Sequence, residues 1–149
     1  MCLNNSLGRS EILGAWVPYL KTIGWTQFAT FTTRKPVNLT SARKIMDKVG
    51  ARVLRPGERM FWSAEPFQLG VRAGYITEQH GEVHGASYHV HALIETRQSP
   101  SQVAKWYDEH FGRVDVRRYD SKLGAVGYVA KYMTKQVHDY DMLVGKEKT

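Results

Sequence analysis

The hydrophobic pattern of the chain alternates between the period of a helix and the period of a strand. Apolar residues spaced three and four apart predict helices, whereas aromatic and β-branched runs predict strands. The predicted helices cover residues 10–23, 41–51, 100–111 and 121–136. The predicted strands cover residues 25–33, 60–66, 88–95 and 113–119, with a less regular candidate at 71–77 and a polar loop at 78–87. Helices interspersed with strands, without a linker or repeat, predict a single α+β domain over residues 1–149 with a mainly antiparallel sheet.

Capping residues and proline sharpen the ends of the predicted helices. Ser10 is suited to cap the first helix, and Thr40 or Ser41 the second. Pro100 is typical of the first turn of a helix and begins the third. The end of the chain carries little that would hold it down, and we expect residues 138–149 to form a flexible tail.

The chain is basic, with 21 lysine and arginine residues against 14 aspartate and glutamate residues and a formal net charge of +7. This excess favours a polyanion such as nucleic acid as the partner, although solvated surface charge gives the same composition.

The single cysteine, Cys2, excludes an internal disulfide framework and a cysteine-built metal site, and it suits a reducing compartment. No apolar run approaches the roughly 20 residues that span a bilayer, so we expect no membrane partner.

Two histidines on the strand YHVHALIE form the first candidate site. Side chains alternate along a strand, so His89 and His91 project from the same face and can reach one metal ion. A third ligand is needed, and the candidates are Glu65 in the strand MFWSAEP and Glu82 in the loop before the histidines. We favour Glu65, because strands place ligands more firmly than loops. Two imidazoles and a carboxylate suit Mg²⁺ or Mn²⁺ acting on a phosphate, whereas a histidine pair that only decorates the surface is the simpler interpretation. The remaining histidines are interpreted as ordinary surface or loop residues: His80, His84, His110 and His138.

A second group of reactive side chains lies in GYVAKYMTK near the end of the chain. On a helix, four of these side chains share one face: Tyr128, Lys131, Tyr132 and Lys135. We expect this face to point away from the packing surface. The opposite face, which we expect to dock on the sheet, consists of Val126, Val129, Met133 and Val137. Neighbouring ammonium groups favour a tyrosinate and hold phosphate oxygens, so a phenol becomes a candidate nucleophile, although a plain surface face of tyrosine and lysine is the alternative.

These motifs together resemble the HUH endonucleases. YHVHALIE is similar to their histidine–hydrophobic–histidine signature, and YVAKYMTK is similar to their tyrosine motif. The tyrosine motif has the two-tyrosine form of the rolling-circle replication initiators of small single-stranded-DNA phages, such as microviruses, and of related plasmids. WTQFATFTTR resembles the upstream strand motif of the family, and AEP resembles its carboxylate-bearing strand.

The resemblance implies a fold, a reaction and a role for each candidate residue. The fold is a central antiparallel sheet of about five strands flanked by helices and related to the RNA-recognition fold. The reaction is nicking of single-stranded DNA through a 5′-phosphotyrosine, followed by strand joining, which initiates and terminates rolling-circle replication. By this resemblance Tyr128 and Tyr132 are nucleophiles in an open order, Lys131 and Lys135 position the phosphate, and His89, His91 and Glu65 hold Mg²⁺ or Mn²⁺.

The implied partner is single-stranded DNA at a replication origin, of which a hairpin is one form. The cations expected to contact it are Arg34, Lys35, Arg117 and Arg118. The sequence contains no G-x-x-x-x-G-K-[ST] motif, so a separate helicase and polymerase, supplied by a bacterial or archaeal host cytoplasm, are expected for a phage- or plasmid-encoded protein. Two alternatives stay open: a single-tyrosine HUH transposase, and a non-catalytic module that binds single-stranded nucleic acid.

Overall fold

A five-stranded antiparallel sheet forms the centre of the fold. The structure is a computed structural model that describes residues 9–35, 37–67, 77–79, 82–84, 87–133 and 137–147. The strands are β1 (Gln27–Thr33), β2 (Arg59–Phe67), β3 (Thr77–Gln79), β4 (Glu82–His84), β5 (Ser87–Glu95), β6 (Gly112–Arg118) and β7 (Asp139–Val144). The central sheet has the order β6–β1–β5–β2–β7, and β3 and β4 pair separately. The predicted α+β class, with an antiparallel sheet of about five strands flanked by helices, is therefore confirmed.

Helices cover both faces of the central sheet. They are α1 (Arg9–Gly14), α2 (Val17–Leu20), α3 (Leu39–Val53), α4 (Pro100–His110) and α5 (Gly124–Tyr128), and α5 continues into a π-helical segment at Val129–Met133. The single helix predicted over residues 10–23 is wrong, because Pro18 lies in the first turn of α2 and cannot continue a helix from the preceding turn. In the part of the chain that the structure describes, no helix has the length and apolar character needed to cross a bilayer.

Side-chain caps fix the starts of the two longest helices. The Asn38 side chain accepts a hydrogen bond of 2.8 Å from the backbone N–H of Ser41, so α3 begins earlier than predicted and Asn38 is its cap in place of Thr40 or Ser41. Ser99 caps α4 through a capping box with Gln102, and Pro100 follows at the start of the helix as predicted.

The expected flexible tail is wrong for residues 139–144, because these residues form the edge strand β7. This strand pairs antiparallel with β2 from Arg59↔Val144 to Ala64↔Asp139. Arg43 on α3 holds it through hydrogen bonds with the carboxylates of Asp139 and Asp141.

The polar stretch at 78–87, predicted as a loop, contains most of β3, all of β4 and the start of β5. Of the strand predicted at 71–77, only the final residue lies within the described part of the chain.

The two faces of the sheet are covered to different extents. One face packs on α3 and α4 around a core that includes Phe31, Met46, Trp62, Ile94 and Tyr107. On the other face, α1, α2 and α5 pack on a second core that includes Phe28, Phe61 and Leu93. Farther along the same strands and on this same face, the register places polar residues: Thr30, Thr32, Glu65, His89 and His91. These polar positions belong to neither core, and the candidate site lies there.

Candidate metal centre and neighbouring tyrosines

Glu65, His89 and His91 converge on one point of the sheet. The Oε1 atom of Glu65 lies 2.5 Å from Nε2 of His89 and 3.0 Å from Nε2 of His91. The potential ligand atoms of all three residues lie within 4.8 Å of one another, and the side chains are between 10% and 19% exposed. A cluster this tight, partly shielded from water, has the geometry needed to bind a metal ion.

Strand pairing brings these three residues together. Glu65 on β2 stands opposite His89 on β5 in an antiparallel register, and His91 follows two positions along the same face. Glu65 is thus the carboxylate beside the histidines, as we favoured from the sequence. Glu82, the other candidate, begins β4 in the separate two-stranded sheet, and its side chain lies outside the described residues.

The electrostatics of the cluster keep Glu65 ionised. Burial alone would raise the pKa of the Glu65 carboxyl, but the hydrogen bonds with His89 and His91 outweigh this effect and lower that pKa to about 2. An ionised carboxylate between two imidazole nitrogens is a donor set that divalent cations accept. Without a cation, the same atoms satisfy one another through the two hydrogen bonds.

Thr30 completes the fit of the cluster to a metal ion. Its Oγ1 lies 3.0 Å from Nδ1 of His91, on the side of the ring away from Glu65. A histidine that ligates through Nε2 carries its proton on Nδ1, and the threonine oxygen can accept that proton in a hydrogen bond. The donor set therefore has both the ligand atoms and an outer partner that orients one of them.

Phe28 links the Glu65–His89–His91 cluster, called the metal cluster below, to the two tyrosines. Its ring stacks on the imidazole of His91 with a centroid distance of 5.9 Å and an interplanar angle of 11°. The rings of Tyr128 and Tyr132 lie 4.7 Å and 5.1 Å from the same Phe28 ring. Sequence reasoning gave roles to neither Phe28 nor Thr30, although the period-two pattern of β1 places both on the face of the sheet that carries the histidines.

The two tyrosines share a face, as predicted, but that face points toward the sheet. The expectation that it points away is wrong, because Phe28 offers an aromatic surface on which both phenol rings pack. Val126, predicted to dock on the sheet, is 51% exposed. The other members of the predicted docking face are buried as expected: Val129, Met133 and Val137.

Tyr128 and Tyr132 differ in the availability of their hydroxyl groups. Tyr128 is 5% exposed, its ring stacks on Tyr119, and its hydroxyl oxygen accepts a hydrogen bond of 2.8 Å from the backbone N–H of Asp120. Tyr132 is half-buried, and its ring centroid lies 6.1 Å from that of His91. It belongs to the π-helical segment, a geometry that is frequent at functional sites. Of the two, Tyr132 is therefore the phenol placed beside the metal cluster.

One cation lies over the Tyr132 ring, and a second is within electrostatic reach of its phenol. The Nζ atom of Lys131 lies 5.2 Å from the ring centroid. Arg117 on β6 forms an ion pair of 3.0 Å with Asp115, and the hydrogen bond with Asp115 raises the pKa of Arg117. A negative charge on the Tyr132 or Tyr128 phenol would raise the pKa of Arg117 further. Lys135, the other predicted phosphate contact, lies outside the described residues.

The remaining predicted DNA contacts lie on the surface, and the structure does not gather them into one site. Arg34 and Lys35 follow β1 and are exposed, and the Arg34 guanidinium donates a hydrogen bond to the carbonyl oxygen of Asp108. Arg118 is exposed at the end of β6, on the face opposite Arg117.

Of the other predicted surface histidines, His110 and His138 have partners outside the metal cluster. His110 interacts through Nδ1 with the carbonyl oxygen of Trp106, and His138 with the Tyr88 hydroxyl. His84 lies on β4, and His80 is outside the described residues.

The chain matches no family model, no curated protein and no solved structure.

Proposed function

We propose that this protein is a metal-dependent nickase and strand transferase of single-stranded DNA in which Tyr132 is the nucleophile. The observation that carries the proposal is the position of the Tyr132 ring, 6.1 Å from the ring of His91 in the Glu65–His89–His91 cluster. Cleavage of a phosphodiester by a protein side chain needs a nucleophile held close to a group that polarises the phosphate. The resemblance of the histidine and tyrosine motifs to those of HUH endonucleases points to the same chemistry.

The reaction is a transesterification. A divalent cation bound by Glu65, His89 and His91 would act as a Lewis acid on the scissile phosphate, for which Mg²⁺ and Mn²⁺ are the candidates. Tyr132 Oη attacks the phosphorus, a new O–P bond forms, and the bond from phosphorus to the 3′ oxygen breaks. The phenol loses a proton and the released 3′ oxygen gains one, so the step has no net change in protons. Because one phosphoester replaces another, attack by a 3′-OH on the phosphotyrosine rejoins a strand without an external energy source.

The cations beside Tyr132 have two tasks in this proposal. Lys131 and Arg117 stabilise the negative charge that develops on the attacking oxygen, because opposite charges nearby favour the ionised form. They also attract the phosphate of the strand. Lys135 remains a sequence-based prediction for the second task.

The cellular role that we propose is initiation and termination of rolling-circle replication on single-stranded origin DNA, with helicase and polymerase supplied separately.

One observation favours a second candidate, a single-tyrosine HUH transposase. The burial of Tyr128 and the hydrogen bond to its hydroxyl leave one phenol beside the metal cluster, whereas the two-tyrosine initiators use both.

The decisive experiment is a search for a covalent protein–DNA adduct. The protein is incubated with 5′- and 3′-labelled single-stranded DNA from the genetic element that encodes it, with Mn²⁺, and resolved on a denaturing gel. We expect an adduct that carries the 3′ label, that EDTA prevents and that Glu65→Gln and Tyr132→Phe both abolish. Binding without any adduct over varied sequences and hairpins would contradict the proposal and would support the non-catalytic module.

A further inference from the structure

Two cavities lie at the end of the sheet opposite the metal cluster, and cations line both. The first, of about 540 Å³, is bordered by Arg55, Arg97 and the Arg59–Glu95 pair. The second, of about 400 Å³, is bordered by Arg52, Lys105, Trp106 and Glu109, so two cations face one carboxylate there. The residues 96–98 lie between them, with Arg97 at one cavity and Gln98 at the other. We use the name basic end for four side chains: Arg52, Arg55, Arg97 and Lys105.

The carboxylates beside the first cavity are already engaged. Glu58 is 9% exposed and accepts hydrogen bonds from the backbone N–H groups of Arg55 and Arg97, at 2.8 Å and 2.7 Å. Glu95 pairs with Arg59 at 2.9 Å. Within the described residues, none of the four cations of the basic end forms an ion pair. Their charge is available to an anion from outside.

The segment that separates the cavities is held in place. The Thr96 hydroxyl donates a hydrogen bond of 2.9 Å to Glu58, and the Gln98 side chain donates one of 2.7 Å to the carbonyl oxygen of Val53. The Gln98 carbonyl oxygen accepts a hydrogen bond of 2.6 Å from the side chain of Gln27. A ligand therefore meets a backbone that is already ordered, which lowers the entropic cost of binding.

Trp106 adds an aromatic surface to the second cavity. Its indole is half-buried, stacks on His110 at 5.0 Å, and borders the cavity together with Arg52 and Lys105. Aromatic rings interleaved with cations are typical of surfaces that bind single-stranded nucleic acid, where bases stack and phosphates meet the positive charges.

We propose that the basic end binds the phosphate backbone of a nucleic acid strand at a distance from the tyrosine site. The first cavity is bordered by the pair Arg59↔Glu95, six strand positions from Glu65↔His89. At 3.3–3.4 Å per residue the two sites are about 20 Å apart. That this strand is the DNA cleaved by Tyr132 rests on the proposed function, whereas binding of nucleic acid to the basic end does not. The protein then contacts a longer stretch of strand than the metal cluster can cover.

The test measures binding of an oligothymidylate of about 30 nucleotides by fluorescence anisotropy at several salt concentrations. The variant Arg55→Glu/Arg97→Glu alters the basic end. The matched control Lys44→Glu/Lys48→Glu makes the same change of charge at two exposed positions of α3 that border neither cavity. The variant Arg55→Gln/Arg97→Gln removes the charges without reversing them, and thermal unfolding checks that each protein is folded.

We expect the arginine variants to bind the oligothymidylate at least about 10-fold more weakly than the control variant does. Loss of two phosphate contacts should also lower the slope of log K against log salt concentration by about 1.4. Equal weakening by Arg55→Glu/Arg97→Glu and by the control Lys44→Glu/Lys48→Glu would overturn the proposal. This experiment measures no cleavage, so it tests the basic end separately from the proposed nickase activity. Weaker binding by the arginine variants without any covalent adduct would contradict the nickase proposal alone. Covalent adducts without that weaker binding would overturn the basic-end proposal alone.

Discussion

Thr30 and His91 stand directly opposite each other on β1 and β5, and the threonine Oγ1 lies 3.0 Å from the imidazole Nδ1. The other ring nitrogen, Nε2, lies 3.0 Å from the Glu65 carboxylate. Both nitrogens therefore have oxygen partners, and the ring orientation is determined from two sides. When Nε2 ligates a cation, the Thr30 hydroxyl oxygen accepts a hydrogen bond from Nδ1–H. Thr30 then affects metal binding indirectly, by orienting the His91 ring.

Thr30→Val tests this positioning role. Valine keeps the shape of threonine but has no oxygen, so we expect affinity for Mn²⁺ to fall by about 10- to 100-fold while the fold is retained. Calorimetric titration of the purified protein with Mn²⁺ measures the change without any DNA. The control is Thr32→Val, the same substitution two positions along β1, opposite His89. Equal losses in the two variants would show that the Thr30 hydroxyl has no specific role.

The burial of Tyr128 separates the functions of the two tyrosines. We expect Tyr132→Phe to abolish adduct formation with little change in stability. Tyr128→Phe should keep adduct formation, but it removes the acceptor for the Asp120 N–H, so the free energy of unfolding should fall by about 1 kcal/mol. Adduct yield on a denaturing gel and urea unfolding measure both effects.

Two outcomes would contradict this division. The first is an adduct that persists in Tyr132→Phe and disappears in the double variant, because Tyr128 would then be able to act as a nucleophile. The second is a folded Tyr128→Phe protein that forms no adduct.

The metal cluster was predictable from the sequence, because the alternation of a strand fixes which side chains share a face. The strands around His89, His91 and Glu65 alternate cleanly, and antiparallel pairing then brings the three residues together. The direction of the tyrosines was not predictable in this way. A helical repeat shows which residues share a face, but not which face docks, and Phe28 decides this from a distant strand.

Strand β7 was missed for a related reason. Its sequence, DYDMLV, is short and has two acidic residues among its first three positions, so nothing local indicates that it is ordered. The partners that hold it are distant in the sequence. They are Arg43, which forms ion pairs of 2.8 Å with Asp139 and with Asp141, and the β2 strand that carries Glu65.

Arg43→Leu therefore should loosen β7. The substitution leaves two carboxylates without their shared partner, and hydrogen bonds to charged groups contribute about 1.5–3 kcal/mol each before solvent screening, so we expect a net loss of about 1–3 kcal/mol. Hydrogen exchange should accelerate at residues 139–144 before it does at β5. Lys48→Leu, at an exposed position of the same helix, is the control and should leave the exchange of β7 unchanged. Uniform acceleration over the sheet would contradict a local role for Arg43.

A pH dependence of stability follows from Tyr107, which is 1% exposed and packs against Phe31. Burial raises the pKa of the Tyr107 phenol above its usual range, and the charge of Asp108 adds to the shift. The folded state therefore favours the neutral phenol. Its contribution is complete below about pH 10, where unfolded tyrosine titrates, and is lost above that at up to about 1.4 kcal/mol per pH unit. Urea unfolding from pH 8 to 11 should show a steeper loss for the natural chain than for Tyr107→Phe, and parallel curves would contradict this.

Cation binding by Glu65, His89 and His91 should be visible as stability, independently of any DNA. A ligand that binds only the folded state stabilises it by about 2.7 kcal/mol at a concentration 100-fold above its Kd. For a chain of this length that corresponds to an increase in Tm of about 5–10 °C. We expect Mn²⁺ to give a larger increase than Mg²⁺ at equal concentration, because two of the three donors are imidazoles, and EDTA should reverse it. Glu65→Gln should lose the increase, whereas Glu109→Gln, at an exposed position on α4, should keep it. An identical increase in both variants would place the cation elsewhere on the protein.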